Sequence, residues 1–260
     1  GRLVGAGAMT PGGVFTMFVA RVNATSGALD TGFDGDGFNS IDIQGGQEDA
    51  RALALQSDGK IVASGFCDNN GAGLFQFFAA RFNTNGSLDT TFGDGSDGKI
   101  FINPGTQVAF GVAGNIQSDG KYLISGYAYN TDITSSQIAV ARLTTSGVLD
   151  PTYDTDGISM RQLTGGSVDF ANAVAANAGG QLYVVGSTGA ATHTDMVIVR
   201  HNTNGSLDSG FDGDGLAKPT LASTNESGTG VAVQSDGKPL VSVERSDVGR
   251  HDPGHGRGCD

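Results

Sequence analysis

Pairs of aspartates beside glycines are the side chains of this 260-residue chain that most resemble a metal site. Four loops hold two such carboxylates each, namely Asp34 and Asp36, Asp94 and Asp97, Asp154 and Asp156, and Asp212 and Asp214. Calcium takes about six to eight oxygen ligands from loops of this kind, and glycine permits the sharp turn. Asp-Gly is also common turn chemistry that needs no metal. Plain turns are therefore the favoured interpretation of these loops, and calcium is the candidate cofactor that they could hold.

Histidine and cysteine side chains form a second set of candidates. His193, His201 and Cys67 are candidate binding residues, and His251 and His255 in the terminal "HDPGHGRGCD" are candidate metal ligands. Zinc binds His, Cys and Asp, but a structural zinc site needs about four such ligands arranged as a tetrahedron. Zinc or another divalent ion is thus the second metal considered. A flexible glycine-rich terminus is the alternative interpretation of the last residues.

Arginine and aspartate also recur together at a nearly fixed spacing. The pairs are Arg21 with Asp30, Arg81 with Asp89, Arg142 with Asp150, and Arg200 with Asp208. A guanidinium and a carboxylate can pair bidentately and join a strand to the loop that follows it. An active site needs one copy of its residues, whereas a repeat interface needs one copy per unit, so we expect a structural role. The sequence has no G-x-S-x-G nucleophile motif, and no catalytic residue is assigned.

A repeat of about 60 residues positions all of these groups. The segment "VARVNATSGALDTGFDGDG" at 19–37 returns at 79–98, 140–157 and 198–215. A second motif, "LQSDGKIVASG" at 55–65, returns at 116–126, 176–186 and 233–243. In the third copy of this motif "NAGGQ" replaces "QSDGK". One supersecondary unit is therefore used four times.

Each unit contains four short runs that alternate like β-strands and end in turn residues. In the second unit they are "ARALALQ" (50–56), "KIVASGF" (60–66), "QFFAARFN" (76–83) and "KIFINP" (99–104). Four strands joined by tight turns describe the blade of a β-propeller. We expect an all-β propeller of about four four-stranded blades over residues 1–245, with almost no helix. Residues 246–260 are expected to form a flexible tail.

Both ends of the sequence present the same strand of the unit. "RLVGAGA" (2–8) and "KPLVSV" (238–243) each align with "KIVASGF". We expect a closed ring in which one blade takes strands from both ends, because closure hides sheet edges that invite aggregation. The alternative is an open array that a second copy completes, which would make a homodimer.

Composition restricts the partners of the chain. Its formal charge of −12 excludes a nucleic-acid backbone as the expected partner, because phosphate contacts need clustered Lys and Arg. No apolar run approaches the roughly 20 residues that cross a bilayer, so no membrane span is expected. The 24 aspartates against 3 glutamates favour turns and strands over helices.

The combination of "QSDGK", "SG" and "ARxNxxGxLDxxF" resembles the delta-60 repeat, which is found in large bacterial surface and secreted proteins. The resemblance covers the chain from about residue 2 to about residue 245. It implies a β-propeller and an extracellular or cell-surface location in a bacterium. It implies no catalytic residue.

Two functions are compatible with these observations. The first is a non-catalytic secreted or surface propeller that binds a protein, a glycan or a small ligand through loops at the mouth of the ring. The alternative is a promiscuous metal-assisted hydrolase of esters, phosphoesters or lactones, in which a divalent ion polarises the substrate. Residues shared by all units hold the scaffold, so a site is expected where one unit differs. This rule is why His193 and His201 are singled out.

Overall fold

The computed structural model describes residues 1–10, 13–69, 71–105, 108–163, 168–190, 193–219, 221 and 225–246. These residues form seventeen β-strands and no α-helix. The strands are β1 (Arg2–Met9), β2 (Thr16–Asn23), β3 (Phe38–Ile41), β4 (Glu48–Leu55), β5 (Ile61–Asp68), β6 (Phe75–Phe82), β7 (Lys99–Ile102), β8 (Ala109–Ile116), β9 (Tyr122–Tyr129), β10 (Ser136–Leu143), β11 (Ile158–Arg161), β12 (Phe170–Ala176), β13 (Leu182–Ala190), β14 (His193–His201), β15 (Leu216–Ala217), β16 (Asn225–Val233) and β17 (Pro239–Ser246). The described residues contain no helix with the length and apolar character that crossing a bilayer requires.

The strands form five antiparallel sheets in chain order. Three sheets have four strands each: β4 to β7, β8 to β11, and β12 to β15. A three-stranded sheet, β1 to β3, precedes them, and the two-stranded sheet β16–β17 follows. In each four-stranded sheet every strand pairs with its neighbour in sequence. The all-β fold and the four-stranded blade are thereby confirmed.

The ends of the chain do not share a sheet in the part that the structure describes. β1 pairs with β2, and β16 pairs with β17, so each end builds its own sheet. The physical reason is that "RLVGAGA" and "KPLVSV" occupy the same position in the repeat, and each has its own hairpin partner. The count of four blades and the closed ring remain predictions. Of the predicted tail, only Ser246 is described, as the last residue of β17, and His251 and His255 lie outside the described residues.

Apolar side chains fill the space between neighbouring sheets. One buried cluster combines Val62 and Phe77 of the β4–β7 sheet with Ile124 and Ala139 of the β8–β11 sheet. Burying a large apolar side chain stabilises a fold by about 1.5–3 kcal/mol. First strands of successive sheets pack on one another, as β4 does on β8 and β8 on β12. The sheets therefore converge along their first strands.

A β-bulge in the first strand faces a glycine in the second strand of each four-stranded sheet. In the β4–β7 sheet the register shifts within β4, opposite Gly65. A Cβ atom on Gly65 would overlap the carbonyl oxygen of Asp49, so this position requires glycine. The same limit holds at Gly126 and Gly186. A bulge changes the direction of the side chains beside it. Because the glycine permits the bulge, it helps to set the direction of the side chains at the beginning of the first strand.

Candidate binding surfaces at the two ends of the sheets

The antiparallel order separates the loops of each repeat into two ends. The "QSDGK" turn joins the first strand to the second, and the aspartate loop joins the third to the fourth, so both lie at one end, here called the turn end. The loop between the second and third strands lies at the opposite end, together with the beginning of the first strand. The side chains there include six aromatic rings, and we call this side the aromatic end.

At the turn end, the repeated arginine joins each sheet to the next. The Arg81 Nε atom lies 2.7 Å from a carboxylate oxygen of Asp89, and Nη1 donates to the carbonyl of Thr145 in the following repeat at 2.6 Å. The guanidinium also lies 4.7 Å from the centre of the Phe92 ring, a cation–π arrangement. The same three contacts recur for Arg21 with Asp30, Thr84 and Phe33, and for Arg142 with Asp150, Thr203 and Tyr153.

The buried partners of these arginines are strongly stabilised as carboxylates. Burial alone would raise the pKa of Asp89, but hydrogen bonds from Lys60 and Thr91 and the charge of Arg81 hold that pKa well below its usual range. Asp150 is held in the same way by Thr152, Lys121 and Arg142. The arginine–aspartate motif thus ties together the strands, loops and neighbouring repeats, as its repetition predicted.

The aspartate loops use their carboxylates as turn residues. The second aspartate of each loop accepts a backbone N–H two residues further on: Asp36 from Phe38, Asp97 from Lys99, Asp156 from Ile158, and Asp214 from Leu216. Asp34, Asp154 and Asp212 adopt positive φ angles of 52°, 46° and 49°. Asp94 is the first carboxylate of the remaining loop. The described residues contain no group of three or more His, Cys, Asp or Glu side chains that could hold a metal ion. Calcium binding stays a prediction.

His201 lies in the packed interface between two repeats. Its side chain is completely buried, and its Nδ1 atom lies 2.7 Å from the hydroxyl of Tyr153. Burial, with a smaller contribution from the charge of Arg161, lowers the pKa of His201 to about 3, so the imidazole is neutral. In the preceding repeat the equivalent pair, Phe92 and Leu143, is apolar and shares one core cluster. His201 is therefore explained by a matching change of Phe to Tyr in the neighbouring repeat.

The other predicted site residues are not brought together. His193 is half exposed at the beginning of β14, with Nε2 3.3 Å from Asp195, whereas His201 ends the same strand. Cys67 is buried in β5, where its thiol donates to Gln44 Oε1 at 3.8 Å. Burial, reinforced by the charge of Glu48, raises the pKa of Cys67 to about 12, so the sulfur stays a protonated thiol. Cys67 and the two histidines thus lie in different sheets or at opposite ends of one strand.

The sequence prediction missed a row of aromatic side chains at the aromatic end. Phe66 meets Phe110 at 4.9 Å between ring centres, and Phe110 meets Tyr127 at 5.4 Å. Tyr127 in turn meets Phe170 of the next sheet at 4.6 Å, ring edge to ring face. All the rings are half-buried. We call this row the aromatic ribbon, and its members are Phe66, Phe75, Phe110, Tyr127, Tyr129 and Phe170.

Strand register explains how the ribbon crosses three sheets. Phe110 and Phe170 hold the same position at the beginning of the first strand, next to the bulge. Phe66 and Tyr127 share a position near the end of the second strand, and Tyr127 pairs directly with Phe110. A repeat alignment that compared aromatic positions would have shown two such positions per unit. It could not have shown that rings of different sheets touch.

The rim of the aromatic end carries further apolar side chains. The loops between second and third strands expose Phe15, Leu74 and Ile133 by 47%, 40% and 59%. Ile133 has a φ angle of +60°, which is unusual for a β-branched residue. Arg51 stacks over Phe66 at 5.4 Å and pairs with Asp49. The ribbon thus has an apolar rim and one ion pair beside it.

Family comparison agrees with this architecture. Residues 56–92, 117–153 and 180–211 match a family described as "Domain of unknown function (DUF5122) beta-propeller". The three matched segments cover less than half of the chain, and each lies within one of the four-stranded units, so the chain is similar to this β-propeller family in its repeats. No curated protein gives a significant match to the sequence.

Solved structures show similarity in fold at low sequence identity. A protein of unknown function from Dyadobacter fermentans aligns with a TM-score of 0.55 at 13% identity, over 93% of this chain and 71% of its own. An endo-arabinase from Bacteroides thetaiotaomicron aligns with a TM-score of 0.52 at 11% identity, over 92% of this chain and 84% of its own. At such identities the similarity concerns the fold alone.

Proposed function

We propose that this chain is a non-catalytic binding module that holds a neutral polysaccharide along the aromatic ribbon. The observation that carries the proposal is the ribbon itself, in which half-buried rings touch across three successive sheets. A contiguous row of partly exposed aromatic side chains is a candidate binding surface. A chain of sugar units matches the ribbon better than a compact ligand does, because the rings form a row.

The chemistry of the ribbon suits sugar rings. The C–H groups of a pyranose or furanose face carry partial positive charge, and the face of an aromatic ring is negative. Tyr127 and Tyr129 add hydroxyl groups that can exchange hydrogen bonds with sugar hydroxyls. Arg51 and Asp49 lie next to Phe66 and offer both a donor and an acceptor. The net charge of −12 disfavours anionic polymers, including nucleic acids.

Two buried carboxyl groups at the aromatic end have structural hydrogen bonds. Asp169 is fully buried and accepts hydrogen bonds from the Leu163 amide at 2.8 Å and the Thr188 hydroxyl at 2.5 Å. Glu48 accepts from the Gln44 amide at 3.2 Å, and burial raises its pKa. Each carboxyl group accepts a backbone N–H from the loop that precedes the first strand of its own sheet, β4 for Glu48 and β12 for Asp169. We further propose the location that the delta-60 resemblance implies, outside a bacterial cell.

Affinity electrophoresis in gels that contain arabinan, xylan, mannan or β-glucan tests the proposal. We expect at least one neutral polysaccharide to retard the chain, and Phe110→Ala to weaken that retardation at least tenfold, because Phe110 contacts three other rings. Phe101→Ala is the matched control, since Phe101 is a half-buried ring on β7, the fourth strand of its sheet. Absence of retardation in every gel, or equal loss in both variants, would show that the ribbon does not bind polysaccharide.

The metal-assisted hydrolase stays the second prediction. One solved structure that shares the fold is an endo-arabinase, an enzyme, but the similarity extends to the fold alone. Model esters, phosphoesters and lactones, incubated with the chain with and without added divalent ions, decide the matter through their rates of hydrolysis. Sustained turnover that depends on the added ion would replace the binding module with an enzyme.

A further inference from the structure

The turn end holds a series of clefts that the aromatic ribbon does not use. Each cleft lies between the "QSDGK" turns of two successive repeats. The first, between the turns at 57–58 and 118–120, has a volume of about 540 Å³. The second, between the turns at 118–119 and 178–180, measures about 380 Å³, and the third, between 178–179 and 235–237, about 420 Å³. These volumes are of the size that small-molecule sites have.

Gln117 makes the second cleft different from an ordinary gap between turns. Its side chain lines the first and second clefts and is only 7% exposed. Nε2 donates to the carbonyl of Gly180 at 3.2 Å, which fixes the orientation of the amide. Oε1 has no hydrogen-bond partner among the described residues. A buried acceptor without a donor is costly, so a donor from outside the chain, either water or a ligand hydroxyl, would stabilise this oxygen.

The equivalent residue of the preceding repeat has no such need. Gln56 Oε1 lies 3.5 Å from Nη1 of Arg81, the arginine of its own repeat. The comparison shows that the repeat can supply a donor at this position. In the second cleft the corresponding donor is missing, although Arg142 lines the cleft.

The walls of the second cleft are unequal because the third copy of the motif is altered. One wall carries Asp119 and Lys121, whereas the facing turn has Ala178 and Gly179 in place of the serine and aspartate found elsewhere. The small side chains leave room in the cleft. Thr152 and Asn204 complete a lining that mixes donors with acceptors and contains no aromatic ring.

We propose that the second cleft binds a small polyhydroxylated molecule, such as a monosaccharide or the terminal unit of a glycan, with one hydroxyl donating to Gln117 Oε1. A hydroxyl supplies the missing donor, and adjacent hydroxyls can accept from Lys121 or Asn204 and donate to Asp119. Paired positive and negative groups in the lining suit an uncharged ligand. This site lies at the opposite end from the ribbon and does not depend on the proposed function.

Titration calorimetry and ¹H–¹⁵N NMR with arabinose, xylose, glucose and galactose test the site. We expect one of these sugars to bind and to shift the amide signals of residues 117–121 and 178–181. Gln117→Leu should weaken binding at least tenfold by removing the acceptor, and Gly179→Asp should do the same by filling the wall. The second variant is expected to fold, because the other three turns carry aspartate at this position.

Gln56→Leu is the matched control, because it removes the same side chain from the preceding repeat, and it should change the affinity less than twofold. The amide signals of residues 117–121 and 178–181 report on this cleft alone, so they separate binding here from any binding at the ribbon. The proposal is overturned if none of the sugars shifts the cleft signals of the unaltered chain. It is equally overturned if Gln117→Leu, shown to be folded by its NMR spectrum, binds as tightly as the unaltered chain.

Discussion

The two ends of the sheets join neighbouring repeats in different ways. At the turn end, the same arginine, aspartate and aromatic ring recur, and the guanidinium groups of Arg21, Arg81 and Arg142 each reach the following repeat. At the aromatic end the equivalent first-strand positions carry Asp49, Phe110, Phe170 and Ser227. Within one chain, then, the contacts that hold the scaffold are repeated, and the surface that varies from repeat to repeat is the better candidate for ligand binding.

Removing one buried arginine should produce the largest effect. Arg142→Ala removes the guanidinium partner of the buried Asp150, and breaking such a pair typically lowers the free energy of unfolding by about 3–5 kcal/mol. Arg200→Ala should lower the free energy of unfolding clearly less. The Arg200 side chain is 19% exposed, and among the described residues it donates to no carbonyl of a following repeat. Urea unfolding of both variants measures the difference. Equal losses would mean that the contact to the next repeat contributes nothing.

Acid should weaken the turn end before the aromatic end. The pKa values of Asp89 and Asp150 are lower in the folded chain than in the unfolded chain. Their contribution to the free energy of unfolding is therefore complete above the unfolded pKa of about 4 and is lost as the pH falls through the folded values. Asp150→Asn should flatten the decline of stability below pH 4. An unchanged slope would contradict the assignment.

The buried Tyr153 and His201 test whether an altered repeat interface must change on both sides. Tyr153→Phe leaves Nδ1 of His201 buried without a partner, which should cost about 1–3 kcal/mol. The double variant Tyr153→Phe with His201→Leu recreates the apolar pair of the preceding repeat and should recover that loss. Thermal unfolding of the two single variants and the double variant gives the coupling free energy. A double variant no more stable than Tyr153→Phe alone would contradict the pairing.

A smaller effect is expected at the rim of the aromatic end. Ile133→Gly removes a β-branched side chain from a positive φ angle, which should stabilise the chain by about 1 kcal/mol because glycine adopts this conformation freely. If the exposed side chain of Ile133 also helps to hold the polysaccharide, the same variant should bind more weakly. A chemical denaturation curve and the affinity gel together separate the two contributions.

Removal of calcium should have the smallest effect. The second aspartate of each loop already accepts a backbone N–H, so we expect EDTA treatment to shift the melting temperature by about 1 °C or less. Adding calcium back to the treated chain is the control. A rise of several degrees in the melting temperature on calcium addition would establish that the aspartate loops at the turn end bind calcium.

The strands were predictable because turn residues and alternating apolar residues mark them locally. The predicted run 76–83 corresponds to β6 (Phe75–Phe82), and 99–104 begins where β7 (Lys99–Ile102) begins. The aromatic ribbon was not predictable, since contacts such as Tyr127 with Phe170 depend on how two sheets pack. The sequence singles out His201 as a candidate binding residue because one unit differs from the others at this position. Only the structure shows that Tyr153 of the neighbouring repeat accounts for it.

The acceptor of the arginine contact between repeats is a backbone carbonyl, at Thr84, Thr145 and Thr203. Every amino acid has such a carbonyl, so this contact places no demand on the side chain of the receiving repeat. A unit that carries the arginine can therefore precede any other unit of the same shape. Gene duplication or recombination could lengthen, shorten or reorder an array of these units without a second compensating mutation at this contact, while each new unit remained free to change the residues of its opposite end.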